Sequence, residues 1–322
     1  MKRVLIIGPV RQDIYLMDHD DLSAKQVGGA SIFENILPGS NIAIDRLYSE
    51  VGGSGLNTAV GLARYGHEVI LMGNICRDAA GDAVMRVVDD ENIDNSYMGV
   101  LPRGGTGTSV ILLNSINKEQ TTLNYYGAST RFDNFREDDL ELANPEWLII
   151  SSLGGDLETL ERFLVKAHEM DIKVALKPSV KELARHNDFL QLLKYVDVLE
   201  MNKAEASVLM PGVVLTELFF HLGNYVPVAI ITDGSMGGIA GTMKDKSIFR
   251  FGIYEDVKIK DTNGAGDAFF GGFMAKYIDD GNLTDAIVFG SANATAAVQT
   301  IGANNGLLYG DEPLHMMPMQ KI

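Results

Sequence analysis

The stretch Asp261–Phe269 reads DTNGAGDAF, and the rest of the chain is interpreted outward from it. Ahead of it, Val257 and Ile259 alternate with polar neighbours as in a strand. Behind it, Ala265, Ala268, Phe269, Phe273, Met274, Tyr277 and Ile278 recur at helical spacing. Gly264, Ala265 and Gly266 therefore fall where a strand turns into a helix. The first N–H groups of a helix lack intrahelical acceptors and lie at the positive end of its dipole. A turn without bulky side chains lets a phosphate approach that backbone. Asp267 then falls in the first helical turn, beside the anion, where a carboxylate can accept a proton from a hydroxyl as it attacks phosphorus. The same residues also describe an ordinary strand-to-helix turn, with Asp261 or Asn263 as the cap and Asp267 as a favourable first-turn acid. Spacing alone does not separate the two.

A chain of 322 residues with 46% hydrophobic content can form one large α/β domain with an appendage, or two modest domains. The one cysteine, Cys76, excludes an intrachain disulfide and fits a reducing compartment. No apolar run approaches the ~18 residues of a membrane span, and Val4–Ile7 is too short for the core of a signal peptide. The expectation is a cytoplasmic protein without a membrane partner. A net charge of −16 argues against nucleic acid as a partner, and no local basic patch offsets it. The same repulsion applies to ATP, so a phosphate site here is expected to use backbone N–H groups and Mg²⁺ rather than a field of lysines.

Taken in order, residues 3–8 contain VLIIG, a buried strand ending in glycine, with Asp13 shortly after. No G-x-G-x-x-G follows, since Gly8 precedes Pro9 and Val10, and no G-x-x-x-x-G-K-[ST] occurs. Asp13 alone reads more readily as a turn or cap residue than as a ligand. Residues 14–51 are irregular, with Gly28, Gly29 and a Pro38–Gly39 turn, and read as strands and loops apart from a main sheet. Residues 106–126 run TSVILLN, a polar turn from Ser115 to Gln120, then TTLNYYG, a hairpin by pattern. Between these regions, Gly52–Gly66 (GGSGLNTAVGLARYG) reads as a glycine-rich entry to a buried helix. Residues 147–151, 173–176, 196–199 and 228–232 are short buried-strand candidates separated by amphipathic stretches such as 157–170, which one parallel sheet accommodates. Asn202–Glu205, NKAE, has the spacing of a variant capping box. Thr232, Asp233 and Gly234 end a strand in a turn. Residues 286–298 read as a helix stopped by Gly302 and Ala303.

DTNGAGDAFFGGFM, from Asp261 to Met274, resembles the C-terminal signature of the ribokinase-like (PfkB) family of carbohydrate and nucleoside kinases, and Gly52–Gly66 resembles its N-terminal signature. The resemblance spans nearly the whole chain in the expected order. It implies an α/β fold, a doubly wound and mostly parallel sheet flanked by helices, with a small β lid. Residues 1–13, 52–104 and 127–322 would form the nucleotide-binding domain, and residues 14–51 and 105–126 the lid over the substrate. The implied activity is ATP-dependent phosphorylation of a sugar hydroxyl, with a nucleoside kinase as the alternative. A non-catalytic ligand-binding relative is disfavoured by the intact Asp267.

By the same resemblance Asp267 is the base and Gly264, Ala265 and Gly266 the anion hole. Asp13, Gly52, Gly53 and Asn57 contact substrate hydroxyls. Asn202 and Glu205 organise Mg²⁺ and the ATP phosphates through water, and Thr232, Gly234 and Gly237 lie where ATP phosphate is held. Asp261 and Asn263 resemble the place where K⁺ binds in activated relatives. Relatives often pair through their lids, and Ile32, Phe33, Ile36, Ile42, Ile44 and Leu47 are more apolar than a small solvated flap requires, so a homodimer is expected. One departure stands out: Cys76 occupies the first position of the family's Gly-x-Asp-x-x-Gly, which weakens that turn. Lys177, Pro178 and Ser179 offer no recognisable substrate signature.

Overall fold

The computed structural model describes residues 1–17, 24–27, 30–33, 38–39, 41–113, 120–244, 246–315 and 317–322. The apolar run near the N-terminus forms the strand Arg3–Ile7, flanked in parallel by Glu68–Met72 and Trp147–Ser151. Lys173–Lys177, Val198–Asn202 and Val228–Thr232 continue the parallel order. The sheet then reverses through Gly238–Thr242, Ser247–Phe251 and Met319–Lys321, each antiparallel to its neighbour.

Both faces of this sheet are covered. Val4 and Ile6 face a core with Leu56 and Ala59 of the helix Ser54–Tyr65 and Phe270 and Phe273 of the helix Ala265–Asp280. Leu5 and Ile7 face the other core, with Leu160 and Phe163 of the helix Leu157–Glu169 and Phe219 of the helix Leu215–Leu222. Burial on both sides is why these strands read as unbroken apolar runs rather than alternations. The expected α/β architecture therefore forms, and the four middle strands lie side by side in sequence order. The third starts later than expected, because Val196 belongs to the turn that precedes it and donates to the Leu193 carbonyl.

Two expectations are corrected. No strand forms around Val257 and Ile259. The strand before the signature is Ser247–Phe251, and its free edge is already taken by Met319–Lys321, so residues 252–264 cross the molecule irregularly. Lys260 and Asp261 pin that crossing by donating to the Val298 carbonyl at 2.8 and 3.3 Å. The last long helix is Leu283–Ala297, capped at Val298, so Gly302 does not stop it. Gly302, at φ 94°, instead shapes a later turn that reaches back to Asp261.

The smaller sheet has the order Gln120–Tyr125, Gly107–Leu113, Arg11–Met17, Arg46–Gly52. It begins at Arg11, earlier than the boundary expected after residue 13, and Asp13 is a strand residue rather than a loop residue. The hairpin of 107–113 and 120–125 pairs as read, with most of its polar turn outside the described residues. Gly28, Gly29 and Ile36 also lie outside them. On this sheet Arg11, Asp13, Tyr15 and Met17 share one face, by the two-residue period of a strand. Ile14, Leu16, Leu47, Val110, Leu123 and Tyr125 share the opposite face. Among the described residues no helix is long and apolar enough to cross a membrane.

Cys76 is accommodated without strain. It ends the strand Asn74–Cys76, which pairs with Gly99–Leu101, and it does not need a positive φ. The turn is set by Asp78, which caps the helix Ala79–Asp90. Its Oδ1 accepts from the Gly81 N–H and its Oδ2 from the Thr106 N–H, both at 2.8 Å.

Candidate active site

The helix Ala265–Asp280 opens on Gly264, at φ 77°, a left-handed conformation that favours glycine. A Cβ on Gly264 would stand 2.4 Å from the Ala303 Cβ, so space also requires glycine. No side chain caps this helix; Ala265 N–H reaches the Thr262 carbonyl at a long 3.3 Å, and Gly266 is exposed. Its first N–H groups thus face outward with little competition, the condition for holding an anion. Asp261 is not the cap. Its Oδ1 accepts from Asn263 N–H at 2.9 Å and its Oδ2 from Gly302 N–H at 3.3 Å, which ties the loop together from beneath. Burial pushes the Asp261 carboxyl above its ordinary range, and burial together with Asp261 pushes the Tyr15 phenol up. Asn263 Nδ2 donates to the Tyr15 hydroxyl at 2.9 Å and to Asp13 Oδ2 at 3.3 Å.

Asp267 in the first turn meets Asn57 from the helix Ser54–Tyr65, with Nδ2 donating to Asp267 Oδ2 at 3.0 Å. Gly53, at φ 98°, lets that helix start against Pro9, where a Cβ would come within 2.4 Å of the Pro9 carbonyl oxygen. A Cβ on Gly52 would stand 2.3 Å from Asp13 Oδ2. Asn304 Nδ2 donates to Asn57 Oδ1 at 3.2 Å and so fixes Asn57 from behind. Asp13, Gly52, Gly53, Asn57 and Asp267 are therefore gathered at one place. Two of its residues escaped the sequence reading. Arg11 Nε lies 2.7 Å from the fully buried Asp13 carboxylate. Burial disfavours the Arg11 charge, but Asp13 and Asp267 outweigh it and hold its pKa above the ordinary value. Arg11 precedes Asp13 by two residues, so recognising the strand would have placed both on one face.

Across the helix terminus, Asn202 and Glu205 form the capping box read from their spacing. Asn202 Oδ1 accepts from Glu205 N–H and Glu205 Oε2 from Asn202 N–H, both at 2.9 Å. Burial pushes the Glu205 carboxyl up, with Glu200 and Asp267 adding to the effect and Lys177 opposing it. The donors fit Mg²⁺: they are hard oxygens, and a divalent cation would relieve the desolvated carboxyl. Among the described residues no group of three or more His, Cys, Asp or Glu forms a cage. That suits an ion held by one carboxylate, waters and substrate phosphates. In the turn after Val228–Thr232, Gly234 is exposed at φ 53° with open space where a Cβ would point. Gly237 is buried, and a Cβ there would stand 2.0 Å from the Phe251 carbonyl oxygen. It closes the turn against the strand Ser247–Phe251, and no side chain fits there.

The second residue missed is Lys177, the last of its strand. Its side chain pairs with the fully buried Glu200, and Nζ stands 3.4 Å from the Gly266 carbonyl oxygen. Lys177, Asn202 and Thr232 end their parallel strands, the side of an open α/β sheet where ligands bind.

A family model described as pfkB family carbohydrate kinase matches residues 29–308. The chain belongs to the PfkB family. A PfkB-family kinase is an ATP-dependent phosphotransferase acting on a small molecule. Ribokinase of Haemophilus influenzae is 26% identical over 290 residues, covering 87% of this chain and 91% of that protein. A nucleoside kinase of Methanocaldococcus jannaschii is also 26% identical, over 88% of this chain and 91% of that one. Among solved structures, Arabidopsis thaliana ribokinase, complexed with ribose and ATP, superimposes with a TM-score of 0.77 at 19% identity. It covers 96% of both chains. At that identity the likeness speaks for the PfkB fold alone.

Proposed function

We propose that this PfkB-family enzyme phosphorylates an alcohol group of a sugar. The observation that carries the reading is the meeting of Asp267 with Asn57 at the N-terminus of the helix Ala265–Asp280, beside Asp13. The acceptor hydroxyl attacks the γ-phosphorus of ATP and its proton passes to Asp267. The bond from the γ-phosphorus to the bridging oxygen breaks, and ADP leaves. Gly264, Ala265 and Gly266 offer backbone N–H groups to the charge on the transferring group. Asp13, Gly52, Gly53 and Asn57 hold the other hydroxyls. Asn202 and Glu205 would hold Mg²⁺ through water, and the ion, when bound, supplies charge neutralisation between the phosphates. Thr232 and Gly234 form the phosphate rim, with Gly237 fixing their turn. Asp261 and Asn263 are the K⁺ locus, where a monovalent cation would compensate the buried carboxyl.

A polar row crosses the smaller sheet at Asp13: Ser109 is its partner in register and donates from Oγ to Asn124 Oδ1 at 2.8 Å. That row suits an acceptor rich in hydroxyls, and a nucleoside, which presents the same hydroxyls on its ribose, is the second reading. The smaller sheet acts as a lid that excludes water as a competing acceptor. Its outer face, with Leu47 64% and Leu123 59% exposed, joins a second copy in a homodimer. The test is an ADP-release screen over ribose, fructose, 2-keto-3-deoxygluconate, phosphosugars and nucleosides. A sugar is expected to give the highest kcat/KM; a nucleoside as the best acceptor would replace this reading with the second one.

A further inference from the structure

Lys177, Glu200 and Thr232 come from three neighbouring parallel strands, and their side chains meet on the sheet face that packs against the helix Ala265–Asp280. Thr232 Oγ1 donates to Glu200 Oε1 at 3.1 Å, Glu200 Oε2 pairs with Lys177, and Lys177 Nζ donates to the Gly266 carbonyl at 3.4 Å. One continuous chain of polar contacts therefore links the turn after Thr232 to the backbone of the anion hole. A Cβ on Gly266 would stand 3.5 Å from Lys177 Nζ, an ordinary contact that shows how close the ammonium lies to that backbone. The Phe270 ring, one turn along the helix, lies 5.8 Å from the same nitrogen.

Glu200 has no exposed side-chain surface and Lys177 has 15%. A pair so buried adds little net stability over a well-packed apolar substitute, because both charges lose their hydration. Its position gives it another use. Phosphoryl transfer is governed by alignment of donor, acceptor and stabilising groups, and small displacements of those groups are expensive. The ATP phosphates must be gripped from two sides, by the turn at Thr232 and by the helix terminus at Gly264–Gly266, which are not adjacent in sequence.

We propose that Lys177 is a positioning residue for phosphoryl transfer: with Glu200 it locks the anion hole at Gly266 in register with the phosphate turn at Thr232. The assignment rests on the reading of Gly264–Gly266 as the anion hole. It also gives a use to a lysine buried beside Glu200 in a strongly acidic chain.

Lys177→Met, Lys177→Arg and the double variant Lys177→Met/Glu200→Leu are compared for Tm, kcat and KM for ATP. The single Met variant leaves Glu200 buried and unpaired, so Tm falls along with kcat; the double variant removes both charges together. The expected result is that the double variant regains Tm while kcat stays about 10²-fold low, with KM for ATP changed much less. Lys177→Arg, which keeps the charge, recovers part of the kcat. Recovery of kcat together with Tm in the double variant would assign the pair a structural role and overturn the proposal, as would unchanged kcat in a folded Lys177→Met. Asp267→Asn is measured alongside. Near-normal kcat there would remove the reading of the site and this proposal with it, whereas failure confined to the Lys177 variants leaves that reading standing.

Discussion

Asn57 and Asp267 are 210 residues apart in sequence, and Asn57 Nδ2 stands 3.0 Å from Asp267 Oδ2. The contact joins the helix Ser54–Tyr65 to the start of the helix that carries the signature, and orients one carboxylate oxygen by a neutral donor. Arg11, Lys177 and Glu205 are each close enough to feel the charge of that carboxylate. Asn57→Asp would place a second carboxylate at hydrogen-bond distance, and two acids so close cannot both ionise easily. Repulsion between them would disturb the oriented carboxylate, so Asn57→Asp is expected to lower kcat by about tenfold or more. A kcat within a few-fold of wild type would show that the Asn57 contact does not matter to the step measured.

Asp78 gives a prediction about stability rather than catalysis. Burial pushes its carboxyl up, but the N–H groups of Thr106 and Gly81 outweigh that and hold it below the ordinary 3.8. A carboxyl depressed by folding contributes stability above its unfolded pKa and loses it as pH falls through the folded value. Asp78→Asn cannot accept as strongly from both donors and is expected to cost about 1 kcal/mol at neutral pH. The difference from wild type should shrink as pH falls below 3.8. Denaturant melts at pH 7 and pH 3 check this; an equal difference at both would remove the ionised cap as its cause.

How much of this was legible in the sequence follows from what each signal measures. The parallel strands were legible because burial on both faces leaves runs such as Trp147–Ser151 and Val228–Thr232 with hardly a polar residue. Gly264 and Asp267 were legible as a helix start from spacing, but as a candidate site only through the resemblance of Asp261–Met274 to a family signature, because an ordinary helix start admits the same residues. The antiparallel extension through Gly238–Thr242 was not, since its glycines interrupt the apolar pattern. Val257 and Ile259 misled because alternation reports a half-buried extended chain and is silent on whether a neighbouring edge is free. Lys177 and Glu200 could not be seen as a pair: they lie on adjacent strands 23 residues apart, and neither belongs to a local motif.

The outer face of the smaller sheet predicts assembly. Leu47, Leu123 and Tyr125 are 64%, 59% and 54% exposed there, beside Ile14, Leu16 and Val110. Light scattering is expected to give a dimer, and Leu123→Glu with Leu47→Lys to give a monomer whose fold is intact by circular dichroism. A wild-type monomer at working concentration would refute the pairing.

The buried Asp261 carboxyl, raised by burial, predicts a response to monovalent cations. Charge placed against it would steady the loop whose N–H groups meet the phosphate. Activity in KCl is expected to exceed activity in an organic salt of equal ionic strength; equal rates would show that Asn263, Gly302 and Tyr15 satisfy Asp261 without an ion.

The central claim is that Asp267 takes the acceptor's proton. It is tested most directly by single-turnover phosphoryl transfer to the best acceptor from the ADP-release screen, comparing wild type with Asp267→Asn at saturating ATP. Asparagine keeps the shape and the bond to Asn57 but cannot take the proton as a carboxylate does. The account predicts a rate lower by about 10² to 10⁴ with ATP affinity largely kept; a rate within a few-fold of wild type would contradict it.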